Sequence, residues 1–324
     1  MTLRADLHVH TRHSKHNGTM PFLGARDCYS SPGDVYRVAK SRGMDLVAIT
    51  DHDSIDGALE LLDRRPDADD VIVGEEITCW MPDSGVEVHI GAYGMTESLH
   101  RDVQALRANV FDVMGRLREA GVLFAINHLL HFYRGQLPLQ TYLRLLDDSP
   151  ALEVRNGTMV PAHNELVEMI AALWEPGPGR GRLARVAGSD AHTLRRIGHT
   201  WTSAPGGTRD EFLANVRNGL GVPGGAHGGA RVVAGDAYGV VARYVAMLAG
   251  FGPCDVSSWH RAGCLGFTAL SLPFQFIPFV VAAARKQLER IDVERVREQI
   301  GSQSMASTHQ VPAKGADASI VSEA

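Results

Sequence analysis

LRADLHVHTRHSKH, residues 3–16, decides how this chain is read. Its first half has strand composition, and its second half carries His8, His10 and His16. In a β-strand, residues two apart point to one face. His8 and His10, at the tail of a strand over residues 4–9, can therefore grip a single ion from one edge. His16 returns to the same rim from the loop that follows. One such cluster is only suggestive, since a lone histidine is more often a satisfied side chain of the core or surface.

Histidines and carboxylates recur further along, at the ends of later strands. Apolar runs at 46–50, 71–78, 86–93, 123–127, 152–155 and 185–189 read as strands. Between them, residues 32–42, 99–120, 137–146 and 162–174 have helical spacing. Alternation of this kind predicts βα units and a parallel sheet, and about seven units is close to a barrel. The fourth run follows the third after a short Pro/Asp/Gly turn, which predicts an antiparallel irregularity. The expected fold is thus α/β, a distorted seven-stranded (β/α) barrel over residues 1–235. After Thr200 the glycine density jumps, which reads as a loop-rich boundary. A helical extension is expected over 236–302, and a disordered tail over 303–324.

Of the 324 residues, 44% are apolar and 21% charged, the balance of a soluble protein with a sizeable core. A formal net charge of -5 argues against nucleic acid as the main partner, without excluding a nuclease that has a local basic cleft. Cys28, Cys79, Cys254 and Cys264 form no CxxC pair and read as free thiols of a reducing compartment. No secretory signal is visible at the amino terminus, so a cytoplasmic protein is expected. Residues 265–284, LGFTALSLPFQFIPFVVAAA, have two readings. They are long enough to cross a bilayer and are followed by Arg285 and Lys286, but Pro273 and Pro278 also fit a pair of broken helices on the barrel.

The strand ends carry the chemistry. The first ends in His8-Val9-His10, the second in Asp51-His52, and the third holds Glu76. The fourth holds His89, the fifth closes on Asn127-His128, and the seventh runs into Gly188-Ser189-Asp190-Ala191-His192. In a parallel barrel these ends share one face, where active sites form. A catalytic ion takes about three protein ligands, so a set this large implies two or three ions. With no thiolate among the donors, Zn, Mn or Fe(II) suits it.

DLHVHT, TDHD, GEE, the lone His89, NH and GSDAH, in this order over roughly residues 3–200, resemble the polymerase-and-histidinol-phosphatase (PHP) family of metal-dependent phosphoesterases. The resemblance implies that His8, His10, Glu76 and Asp190 hold one ion. Glu76 would bridge to a second ion held by His89 and His128, and His16, His52 and His192 would hold a third. Two departures from the family pattern are visible: Lys15 follows Ser14, and His128 is followed by leucine rather than proline.

A carboxylate shared by two ions implies a shared water or hydroxide, acidic enough to attack phosphorus near neutral pH. Glu76 and Asp190 are then catalytic candidates. Arg155, at the end of the sixth strand, is the leading candidate for binding phosphate oxygens, with Arg134 and Arg195 behind it. Asp6 and Asp51 are candidates for orienting the imidazoles. The expected activity is hydrolysis of a small phosphorylated metabolite or nucleotide. The alternatives are a nuclease or proofreading phosphodiesterase, and a membrane-associated regulatory protein docking through 265–284.

Overall fold

Short apolar runs rich in β-branched residues make the strands, and capping residues start the helices between them. The computed structural model describes residues 1–15, 25–130, 138–174, 181–251 and 257–308. Strands form at all seven expected places: β1 (Thr2–Asp6), β2 (Leu46–Ile49), β3 (Val71–Trp80), β4 (Glu87–Tyr93), β5 (Leu123–Ile126), β6 (Ala151–Asn156) and β7 (Ala184–Gly188). Two more, β8 (Thr200–Pro205) and β9 (Val222–Gly225), raise the sheet to nine strands in the order β7-β6-β5-β4-β3-β2-β1-β8-β9.

The extra pair lies where the glycines predicted loops. β8 runs antiparallel to β1, from Thr2 opposite Pro205 to Ala5 opposite Thr202, and β9 runs antiparallel to β8. Thr200, Thr202 and Ala204 are its buried face. Glycine is required in β9, because a Cβ on Gly224 would lie 2.6 Å from Trp201 Nε1.

β4 is antiparallel to both β3 and β5, whereas β1–β2, β2–β3, β5–β6 and β6–β7 are parallel. The start of β4, not its end, therefore lies where the parallel strands finish. Past β7, Ala191 bridges in parallel to Val9, and His10 N–H donates to the Ala191 carbonyl at 3.1 Å. The sheet thus curls into a nearly closed barrel. The approach is tight: a Cβ on Gly188 would meet His8 Cβ at 2.3 Å and His8 N at 2.5 Å.

Ser31 caps α1 (Pro32–Ser41), and α2 (Asp56–Arg64) follows β2. Helical spacing over 99–120 predicts one helix, but two form, α3 (Glu97–Leu106) and α4 (Val110–Glu119). Asn109 breaks the run by accepting the Phe111 N–H, and the Arg107 carbonyl is taken by Trp80 N–H. α5 (Leu139–Asp148), α6 (Pro161–Leu173) and α7 (Arg209–Asn215) complete the layer around the sheet. One apolar cluster joins β1, β2, β7 and α7 through Leu3, Leu46, Val186 and Phe212, and a larger one packs helices on β3–β6.

α8 (Ala230–Leu248), α9 (Ser258–Ser271) and α10 (Ile277–Thr308) follow. α10 is fastened to the barrel by buried Val293 and Val296 and by Glu289, which accepts the Val160 N–H and the Lys286 ammonium. Residues 309–324, the rest of the expected tail, lie outside the described residues, as does Cys254. Cys28, Cys79 and Cys264 are buried free thiols. Among the described residues no single helix is long and apolar enough to cross a membrane, and α9 with α10 passes only as a pair bent by 66°.

The closure at Gly188 is testable. Gly188→Ala should destabilise the protein by about 3 kcal/mol or more, since backbone atoms of His8 cannot give way. Gly115→Ala, in open space on α4, should be neutral or stabilising by about 0.5 kcal/mol. Equal urea midpoints for the two variants would contradict the close approach.

Candidate metal centre

Six strands deliver one buried polar cluster to one end of the barrel. β1 ends at Asp6, but the chain stays extended through His10, so His8 and His10 point to one side with ring centroids 5.1 Å apart. His52 follows β2 and bridges in parallel to Glu76 on β3. His89 arrives from the start of β4, opposite Thr78, which the reversed direction of that strand makes possible. His128 follows β5, and Asp190 and His192 follow β7. His128 and Asp190 adopt positive φ, 30° and 52°, a region that costs energy for residues other than glycine and clusters at functional sites.

Glu76 is the hub. Its Oε2 lies 3.0 Å from His8 Nε2, 3.3 Å from His10 Nε2 and 3.2 Å from His52 Nδ1. Its Oε1 lies 3.2 Å from His89 Nδ1, 3.2 Å from His128 Nε2, and accepts Asn127 Nδ2–H at 2.9 Å. One carboxylate thus faces two imidazole groups, one on each oxygen. Asp190 Oδ1 stands 3.6 Å from His8 Nε2 and 3.4 Å from His10 Nε2. Its Oδ2 is held by Thr158 Oγ1–H at 2.9 Å and Asn156 Nδ2–H at 3.3 Å.

Three donor groups suit an ion: His8, His10 and Glu76; His52, Glu76 and His89; and His10, His52 and His192. Beside the last stands Asp27, whose Oδ2 is 3.9 Å from both His52 Nε2 and His192 Nε2. Its Oδ1 is buried and makes no hydrogen bond, the condition of a carboxylate facing a cation. The donor set therefore fits divalent ions.

Two orienting carboxylates escaped the sequence. Glu153, on β6, takes the His8 Nδ1–H at 2.8 Å and also accepts the His128 N–H at 3.0 Å. Glu87 pairs with His89 Nε2 at 2.9 Å. Each fixes the ring so that its other nitrogen faces Glu76. The sequence does mark Glu153, a single carboxylate among the buried apolar residues of ALEV. Asp27 lies in no motif. Asp6 and Asp51, expected to orient imidazoles, bind backbone and hydroxyl groups instead. Asp6 accepts the Ser189 and Gly198 N–H groups, and Asp51 accepts the Thr11 N–H and hydroxyl. They fasten the loops that carry the ligands.

Arg155 is not brought to the centre. A bulge between Glu153 and Arg155 shifts its register, and its guanidinium faces Glu168 on α6 and the Gly225 carbonyl. Arg195 is exposed and lines a cavity of about 420 Å³ that opens beside His192, with Tyr29, Tyr238 and Arg243. His16 and Arg134 lie outside the described residues.

Burial alone would raise Glu76, but the charges of His8, His52 and His89 hold it well below the usual carboxylate range. Asp190 is likewise held down against burial by His8, His10 and His192. Burial pulls the His89 imidazole down, but the Glu76 charge overrides it and pushes the group up to about 9. His8 is raised for the same reason. His10 is lowered by burial and by His192, which keeps it neutral and ready to ligate. Burial raises Asp6 to about 6 and Asp51 to about 7.

Residues 180–220 match the family model described as PHP-associated. Over 76 residues the chain is 37% identical to an uncharacterized protein of Methanocaldococcus jannaschii, a match covering 23% of this chain and less than half, 44%, of that protein. The fold is similar to PsfC of Pseudomonas syringae, with TM-score 0.51 and 17% identity over 75% of this chain and 99% of that one. A two-domain Bacteroides vulgatus protein described as containing a "predicted PHP-like metal-dependent phosphoesterase" aligns with TM-score 0.49 and 16% identity, over 74% of this chain and 70% of that one. At 17% identity the likeness to PsfC is one of fold alone.

Without metal, protons hold this cluster together, which fixes a pH dependence. The stabilisation from raised His89 is complete below its ordinary value of 6.5 and is lost as pH climbs through about 9, and that from raised His8 is lost in the same alkaline direction. That from raised Asp6 and Asp51 is complete below 3.8 and is gone above about 7. The melting temperature of chelator-treated protein should therefore fall between pH 6.5 and 9. With saturating Mn or Zn the fall should be smaller, because the ions replace the protons. A metal-free melting temperature that rises over this window would contradict the assignment.

Proposed function

We propose, from the premise that this chain is a PHP-family protein by its six ligand motifs and its PHP-associated segment, that it hydrolyses phosphate esters with bound divalent metal ions. The observation that carries the reading is the Glu76 carboxylate, with His8, His10 and His52 against one oxygen and His89 and His128 against the other. Ions held by these residues supply a Lewis acid for the phosphoryl oxygens and lower the pKa of water toward about 7.

The chain's own groups prepare the site. Glu76, Asp190, His8 and His10 would hold one ion, and Glu76, His89 and His128 a second. His52 and His192 would hold a third, with the Asp27 carboxylate at hand. Asn127 orients Glu76 through Oε1, and Thr158 holds Asp190 Oδ2, leaving Oδ1 for the imidazoles. Burial excludes bulk water, which strengthens every charge interaction inside.

The substrate is a small phosphorylated molecule. The cavity beside His192 is of small-molecule size, and Arg195 and Arg243 can donate charge-assisted hydrogen bonds to anionic oxygens. Tyr29 and Tyr238 offer ring faces for an organic body. The small cavity and a net charge of -5 favour a small substrate over nucleic acid.

Purified protein reconstituted with Mn or Zn should release phosphate or an alcohol from members of a panel of mono- and diesters. Glu76→Gln should lower kcat by about 10²–10³-fold, the scale of losing one preorganised electrostatic contact. No release with any ester and either metal would sink the reading. Arg243→Ala should raise KM about tenfold with kcat nearly unchanged, since it removes one charge-assisted contact made alike in ground and transition states. A KM equal to that of the unaltered protein would place the substrate elsewhere.

A further inference from the structure

α9 and the start of α10 are turned inside out. From Leu265 to Val281 no residue is buried, although Cys264 and Ala282 on either side are. The least exposed positions are Leu265, Thr268, Ser271, Gln275 and Pro278, spaced three or four apart. That spacing is the stripe a helix turns toward its own protein, and three of its five residues are polar. Their polar groups are satisfied there. The Thr268 hydroxyl donates to the Cys264 carbonyl at 2.8 Å, and Ser271 to the Thr268 carbonyl at 2.8 Å. Tyr238 of α8 donates to the Gln275 carbonyl at 2.5 Å. The outward side carries Leu270, 79% exposed, with Phe274, Phe276, Phe279 and Val280. Apolar surface of this extent on a water-facing helix marks an interaction site.

We propose that this elbow docks the protein on a lipid bilayer, seated in one leaflet beside anionic headgroups. Three observations choose a bilayer. First, charge: no acid or base lies between Arg261 and Arg285, and residues 257–290 hold four bases against one acid in a chain of net charge -5. That acid, Glu289, is buried against Lys286, so the segment presents positive charge. Second, length: the apolar parts of the two arms, 265–271 and 277–284, are about 10 and 12 Å long, under half of a ~30 Å hydrocarbon core. Arms that short, bent by 66°, suit entry into one leaflet. Third, rigidity: Cys264 packs with Tyr244 and Leu248 of α8, and buried Val293 and Val296 fasten α10 to the barrel. The elbow is thus held in place with its apolar side outward.

Docking also has a consequence for the cavity. Tyr238, which holds the elbow at Gln275, lines the cavity that opens beside His192. The elbow would then stand between the bilayer and the cavity wall. The docking claim itself stands apart from the catalytic one.

The test is sedimentation of the full chain with phosphatidylcholine vesicles, and with vesicles enriched in phosphatidylglycerol. The chain should pellet most with the anionic vesicles, and added salt should weaken this. A Leu270→Ser, Phe276→Ser double variant should partition about a hundredfold less, roughly a decade for each large apolar side chain left out of the lipid. Its melting temperature and ester hydrolysis should match the unaltered protein. A chain that stays in the supernatant with both vesicles overturns the proposal, as does a double variant that pellets like the original. A lipid-free dimer that the double variant abolishes also overturns it, by making a second copy the occupant.

Discussion

The barrel depends on neutralising carboxylates that it has taken out of water. Glu76 and Asp190 are buried and are held ionised by imidazoles from five separate strand ends. Burying a charge costs several kcal/mol per ion unless partners and hydrogen bonds surround it. Each partner therefore has to arrive at a fixed position, and the rest of the fold serves that arrival. β4 is reversed so that its start brings His89 to the right end. Gly188 lets β7 touch the chain at His8, and a left-handed backbone at His128 and Asp190 turns those side chains inward.

The sequence made most of this legible because strand-end motifs follow simple rules. His8-Val9-His10 uses the period of two, and the Asp51-His52 and Ser189–His192 stretches sit just past short apolar strands. What escaped depends on information held outside any one motif. Glu153 matters because the barrel closes the end of β7 onto the extension of β1, which brings β6, the next strand over, within reach of His8, and no single motif shows that. Asp27 comes from a segment with no regular structure, and nothing near it in the chain marks a ligand. Arg155 looked correctly placed by alternation, but one bulge turned its guanidinium toward Glu168. β9 was disguised by Gly224 and Gly225, which serve close approach to Trp201 and to the backbone at His199 and Thr200 rather than loop flexibility.

The helices after the barrel have two faces with different chemistry. One wall of the cavity beside His192 is α8, so the substrate would meet residues from outside the ligand motifs. The far side of α9 and α10 offers apolar surface where water is expected. Tyr238 lines the cavity and holds the inward side of the elbow at the Gln275 carbonyl. Whether that shared side chain couples the two faces is a matter for double-mutant cycles.

The central claim is that Glu76 stands between two metal ions. Anomalous diffraction from crystals of the Mn-loaded protein tests it directly. The account predicts separate peaks against the two oxygens of Glu76, one among His8, His10 and Asp190 and one between His89 and His128. A map with no peak within bonding distance of Glu76, in protein that binds Mn and hydrolyses phosphate esters, would contradict it.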